Sequence, residues 1–140
     1  MIDERRFIVT GGRHRHRKHD YYQLEVAITD YLYDDLDYDT ARQAHIIIIQ
    51  GGCPDGVDAM ARCLARDKGY ALETYPADFK QHPQDAVETS NQTMADHGAN
   101  LCLAFPNALA DGPSPGTWDM VRRAVAAGIE TRIYPEASHE

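Results

Sequence analysis

Positive charge is scarce in this 140-residue chain: 14 lysines and arginines face 22 aspartates and glutamates, for a net charge of −8 with histidine neutral. So acidic a balance disfavours general nucleic-acid binding, which rests on neutralising backbone phosphates. Cysteine is scarce as well. Cys53, Cys63 and Cys102 are odd in number and lack CxxC spacing. Neither a disulfide framework nor a zinc framework is expected, and Cys63 and Cys102 read as reduced core thiols. No apolar run is long enough to cross a bilayer, the longest being Ile46-Ile47-Ile48-Ile49. Met1-Ile2 leads directly into Asp3-Glu4-Arg5-Arg6 with no signal-peptide core, so a cytoplasmic location is expected. GxGxxG is missing, which removes the standard dinucleotide fingerprint. GK[ST] is missing too, which removes Walker A and with it the usual ATPase and GTPase readings. No cofactor and no resident metal are expected. His14, His16 and His19 form H-x-H-x-x-H, but their neighbours are cationic and no carboxylate or thiol stands at ligand spacing.

What the chain does have is strand–glycine–helix, three times. Phe7-Ile8-Val9-Thr10 runs into Gly11-Gly12-Arg13. The isoleucine run and Gln50 lead into Gly51-Gly52-Cys53-Pro54-Asp55-Gly56-Val57-Asp58. Leu101-Cys102-Leu103-Ala104-Phe105 runs into Pro106, and Pro115-Gly116-Thr117 then opens a helix. Glycine lets backbone N–H groups approach a phosphate, and a helix N-terminus adds partial positive charge. Periodicity places strands over 6–10, 44–50, 71–75, 100–105 and 130–134, and helices over 21–36, 56–68, 83–97 and 117–127. Gly69, Gly98 and Gly128 stand at the ends of three of those helices. Five strands alternating with four helices make one α/β domain, a doubly wound parallel sheet with helices on both faces, and 135–140 a tail. In such sheets ligands sit outside the strand carboxyl ends, where the glycine turns lie.

The candidate binding residues follow from those turns. Gly11, Gly12 and Arg13 form a phosphate turn with a guanidinium able to fork onto the anion, or merely turn the chain. Gly51 and Gly52 form a second turn. Asp58, one turn into the next helix, suits either a cap or a ribose hydroxyl. Gly116 and Thr117 suit a phosphate at a helix start. Asp119 is the candidate catalytic carboxylate, the alternative being a dipole-matched acid. Residues 5–18 carry Arg5, Arg6, Arg13, Arg15, Arg17 and Lys18 with no acid beside them, which reads as a local anion site or a solvated basic loop. Within the third helix, Asn91 reads as a surface residue and Met94 as core.

The order of these motifs resembles the cpYpsA-related (YspA-like) SLOG family. The resemblance runs over about 5–134. It rests on Val9-Thr10-Gly11-Gly12-Arg13, Gly51-Gly52 through Asp58-Ala59-Met60-Ala61, Pro76-Ala77-Asp78-Phe79, Asn91 with Met94, Ala104-Phe105-Pro106 and Gly116-Thr117. It implies a Rossmann-like fold with strand order 3-2-1-4-5. It also implies a pocket for a nucleotide or nucleotide-derived ligand that adds Asn91 and Pro106 to the site, and assembly into a homodimer or higher oligomer. The superfamily includes the Lonely Guy phosphoribohydrolases and the DprA DNA-processing protein. Two alternatives to binding therefore stand: an N-glycosidic phosphoribohydrolase, and a partner-binding or DNA-handling module. Ser90 stands where the family usually has arginine, and Pro106-Asn107-Ala108-Leu109-Ala110-Asp111-Gly112 intervenes before Gly116-Thr117. In the Lonely Guy enzymes a helix arginine and a glutamate after Gly-Thr serve catalysis. Asp119 only approximates that glutamate, so binding is the firmer implication.

Overall fold

A computed structural model describes residues 3–108 and 113–136. The elements are β1 (Glu4–Gly11), α1 (Lys18–Asp35), α2 (Tyr38–Gln43), β2 (His45–Gln50), α3 (Gly56–Lys68), β3 (Ala71–Thr74), α4 (Ala86–His97), β4 (Leu101–Phe105), α5 (Pro115–Ala126) and β5 (Thr131–Ile133). The five strands form one sheet in the order β3-β2-β1-β4-β5, with every pair parallel. The sheet is therefore the Rossmann-like α/β arrangement expected, with its switch point between β1 and β4.

Strand residues alternate between two apolar cores. Phe7, Val9, Ile46, Ile48, Leu101, Leu103 and Phe105 pack on one face with Leu24, Ile28, Val57, Met60, Ala61 and Leu64 of α1 and α3. Ile8, Ile47, Ile49 and Cys102 pack on the other with Met94, Ala95, Met120 and Ala124 of α4 and α5. Burial of β1, β2 and β4 on both faces explains their lack of polar alternation. Because every pair is parallel, the carboxyl ends of all five strands lie at one edge of the sheet, where the helices that follow β1, β2, β3 and β4 begin.

The structure differs from expectation in several places. A fifth helix, α2, is present. Its start is fixed by Asp37, whose carboxylate accepts the Thr40 N–H at 2.8 Å. The first helix begins at Lys18 and the last at Pro115, a residue suited to the first helical position. Cys63 is exposed rather than core, because it lies off the 57–60–61–64–65 stripe that α3 buries. Asn91 is buried rather than on the surface. The expected tail 135–140 lies largely outside the described residues. No helix among the described residues is long and apolar enough to cross a membrane.

Candidate functional site

The β1 turn is built by backbone lying on backbone. A Cβ on Gly11 would stand 2.3 Å from Val57 Cγ2 and 2.5 Å from the Phe105 carbonyl oxygen, so only glycine fits between β4 and α3. The Gly12 N–H donates to the Phe105 carbonyl at 3.0 Å, and the Gly12 carbonyl accepts the N–H groups of Arg15 and Val57, each at 3.3 Å. That carbonyl therefore occupies one N–H of the first turn of α3. A Cβ on Gly12 would collide with the side chain of Asn107, which leans over the turn. Asn107 Oδ1 accepts the His14 N–H at 3.2 Å, and the Asn107 N–H donates to Ser114 Oγ at 2.8 Å. One continuous chain of contacts thus joins the β1 turn to the residue preceding α5.

Within the basic run, Arg15 differs from its neighbours in burial. It is 0% exposed. Its Nε donates to Asp20 Oδ1 at 2.9 Å, its Nη1 to the carbonyls of Pro106 at 2.8 Å and Tyr134 at 2.7 Å, and its Nη2 to Gln23 Oε1 at 3.2 Å. Asp20, equally buried, also accepts the Arg17 N–H at 3.1 Å. Pro106 is therefore held by its carbonyl to the loop after β1. Arg5 pairs with Asp3 and Asp35, Arg6 with Glu73, and Arg17 with Glu136. Arg13 and Lys18 are exposed and make no ion pair among the described residues.

The β2 turn is held by side chains instead. Gly52 has a φ of +81°, in the left-handed region. Its N–H donates to Gln50 Oε1 at 2.8 Å. Arg62 reaches back from α3 to the Cys53 carbonyl at 2.8 Å and to Gln50 Oε1 at 3.3 Å. Asp58 Oδ2 accepts the Cys53 N–H at 3.0 Å. A Cβ on Gly51 would lie 3.6 Å from Asp58 Oδ2 and 3.9 Å from Met94 Cε, which brings this turn against α4. One turn earlier on α4, Asn91 Nδ2 donates to the Gly116 carbonyl at 3.2 Å and to Asp119 Oδ2 at 2.9 Å.

The sequence profile of the YspA, cpYpsA-related SLOG family matches residues 5–82, which is β1 through the loop after β3. The chain belongs to this family. A SLOG chain of this kind is also 31% identical over 130 residues to the Gene 61 protein of Mycobacterium phage D29, across 89% of this chain and 92% of that protein. Among solved structures, the C-terminal domain of a hydrogenase from Pyrococcus furiosus covers 96% of this chain and 95% of its own at 8% identity, with a TM-score of 0.44.

Within this SLOG chain the carboxyls of Asp58 and Asp119 are shifted in opposite directions. Burial raises the Asp58 carboxyl above its ordinary pKa, against the Cys53 N–H and Arg62, which lower it. Burial also pushes Asp119 up, but hydrogen bonds from Arg123, at 2.8 Å, and Asn91 outweigh it and hold the carboxyl below its ordinary range. Asp119 is therefore an ionised acceptor with its partners in place. Thr117 is buried in the first turn of α5. The structure thus brings Gly12 beside Asn107, Gly51 beside Asp58 and Met94, and Asn91 beside Gly116 and Asp119, while Arg13 stays in solvent. Arg15, Gln50, Asn107 and Ser114 were not singled out. A buried Gln at the end of an apolar strand is the one sequence signal that pointed to any of them.

Proposed function

We propose that this protein binds a small phosphate-bearing nucleotide or nucleotide derivative at the carboxyl edge of β1 and β4. The observation that carries the reading is the run of contacts from the β1 turn through Asn107 to Ser114 at the head of α5. It sets two anion-favouring backbone segments around the switch point, where open α/β sheets bind ligands. In this reading, N–H groups near Gly12 and at Gly116 and Thr117 hold the phosphate, and Arg13 adds a charge-assisted contact. Asp58 and Asn91, beside Gly51 and Gly116, face the ribose or base. Gly51, Gly52 and Pro106 shape the walls. Cleavage of an N-glycosidic bond would rest on Asp119, whose carboxylate is already engaged by Asn91 and Arg123, so binding is the reading adopted. Nucleic-acid binding is disfavoured by the net charge of −8 and by the pairing of most cations in the basic run.

Assembly into a homodimer belongs to the same proposal. Of the α1 tyrosines, Tyr21 and Tyr31 pack on the core. Tyr22 and Tyr33 are exposed, and eleven residues is close to three full turns, so they share a face, with Tyr38 beside Tyr33 at 5.8 Å between rings. Light scattering should return a dimer mass, and a monomer mass at micromolar concentration would refute it.

Calorimetry against a panel of nucleoside mono- and diphosphates tests the ligand. Arg13→Ala should weaken binding by one to two decades, about 1.4–2.8 kcal/mol, and should leave stability unchanged because the side chain is exposed and makes no ion pair among the described residues. Incubation with nucleoside monophosphates should release no free base. If Arg13→Ala and Thr117→Ala both leave a measured nucleotide affinity intact, the site lies elsewhere.

A further inference from the structure

We propose that the cavity between the N-terminal ends of α1 and α3 is a second small-molecule site. It would take a ligand with a single anionic group on a flat, apolar body. The cavity measures about 450 Å³, within the range of pockets that hold mononucleotide-sized molecules. Arg17 and Lys18 stand in its lining with Tyr21, Met60 and Cys63.

Three observations assign it an anion. Lys18 has no ion pair among the described residues, although acids outnumber bases 22 to 14 in this chain. Arg17 gives one guanidinium nitrogen to Glu136 and leaves about half its side chain in solvent. The one carboxylate of the first turn of α1, Asp20, is 0% exposed and held by Arg15, so it does not neutralise the rim. Asp55, also in the lining, disfavours a second negative group, which limits the ligand to charge at one end. Tyr21 and Met60 then offer an aromatic face and a polarisable thioether to an apolar ring.

The cavity shares no lining residue with the site proposed at the switch point. A Cβ on Gly56 would lie 2.5 Å from Arg13 Cα and 2.5 Å from the Gly12 carbonyl oxygen, so the backbone of the β1 turn is sealed onto the head of α3. The two sites can therefore be read separately, and this one stands whether or not a nucleotide binds at the switch point.

Cys63 is an exposed thiol in the lining, and Cys102 is buried. In a Cys53→Ser protein, alkylation of Cys63 by iodoacetamide then reports on this cavity. Adenosine monophosphate at a few times its dissociation constant should slow alkylation about fivefold by mass action. Replacing Arg17 and Lys18 together by alanine, or Lys18→Glu alone, should weaken the affinity about tenfold, which leaves almost no protection at the same concentration, and Thr117→Ala should leave protection unchanged. The proposal is overturned if adenosine monophosphate gives no protection, if the Arg17 and Lys18 variants protect as before, or if Thr117→Ala abolishes protection. Equal protection by adenosine would remove the anionic requirement. Equal protection by inorganic phosphate would remove the apolar one. Either result overturns the assignment.

Discussion

The two glycine pairs that look alike in the sequence are built in opposite ways. At Gly11-Gly12 neither residue has a positive φ. Glycine is required there because a strand, a helix and a carbonyl converge where a methyl would stand. At Gly51-Gly52 there is more room, and glycine serves the left-handed φ of Gly52 while Gln50, Asp58 and Arg62 hold the loop from beneath. Glycine is demanded by close packing at the first turn, and by backbone conformation at the second. A glycine pair after a strand thus announces a turn without saying which physics holds it, and the two kinds should fail differently when altered.

The largest expected effect is at the anchor of the first turn. Arg15→Ala leaves Asp20 buried without its cation and frees two carbonyls, so stability should fall by about 3–5 kcal/mol. Urea denaturation measures this, and Arg15→Lys should not restore it, because one ammonium cannot reach four acceptors in a plane. Next comes the turn itself. Gly11→Ala forces a methyl into closed packing and should cost about 3 kcal/mol. By contrast Gly52→Ala meets only the Thr74 methyl, at 2.7 Å, and pays mainly for its φ, about 1–2 kcal/mol. Equal costs at the two positions would erase the distinction between them.

Asp58→Asn should have the smallest effect on stability and the most informative pH dependence. A carboxyl whose folded pKa is raised takes up its proton in the folded state first. The wild type therefore gains stability as the pH falls through the folded pKa, and the gain is complete below the unfolded value. Asparagine still accepts the Cys53 N–H and removes that gain. Relative to the wild type, the variant should be as stable or more stable at neutral pH and should lose ground as the pH is lowered, which denaturation midpoints across the range will show. A loss of nucleotide affinity in the same protein then reports on the ligand rather than on the fold.

Much of this architecture was legible because burial writes directly into sequence. Ile46-Ile47-Ile48-Ile49 has no polar alternation, and the strand is covered on both faces. The strand order needed the family resemblance, since local periodicity carries no information on which strands pair. The short helix α2 is too brief for its periodicity to show, although its Asp37-x-x-Thr40 cap is written in the sequence. The site was less legible for a different reason. Asn91 is buried because Gly116 and Asp119, on another helix, receive its amide, and Arg15 because its acceptors are backbone carbonyls of distant loops. Residues whose burial depends on a partner from elsewhere in the chain leave no local trace.

The same dependence sets an order in time. The carbonyls that satisfy Arg15 lie 91 and 119 residues downstream of it. During synthesis the β1–α1 loop emerges early and waits, its guanidinium hydrated, until β4 and then the short last strand have been made and docked. The clamp therefore closes only when the whole sheet is in place, so the loop beside the switch point takes its final shape late in folding.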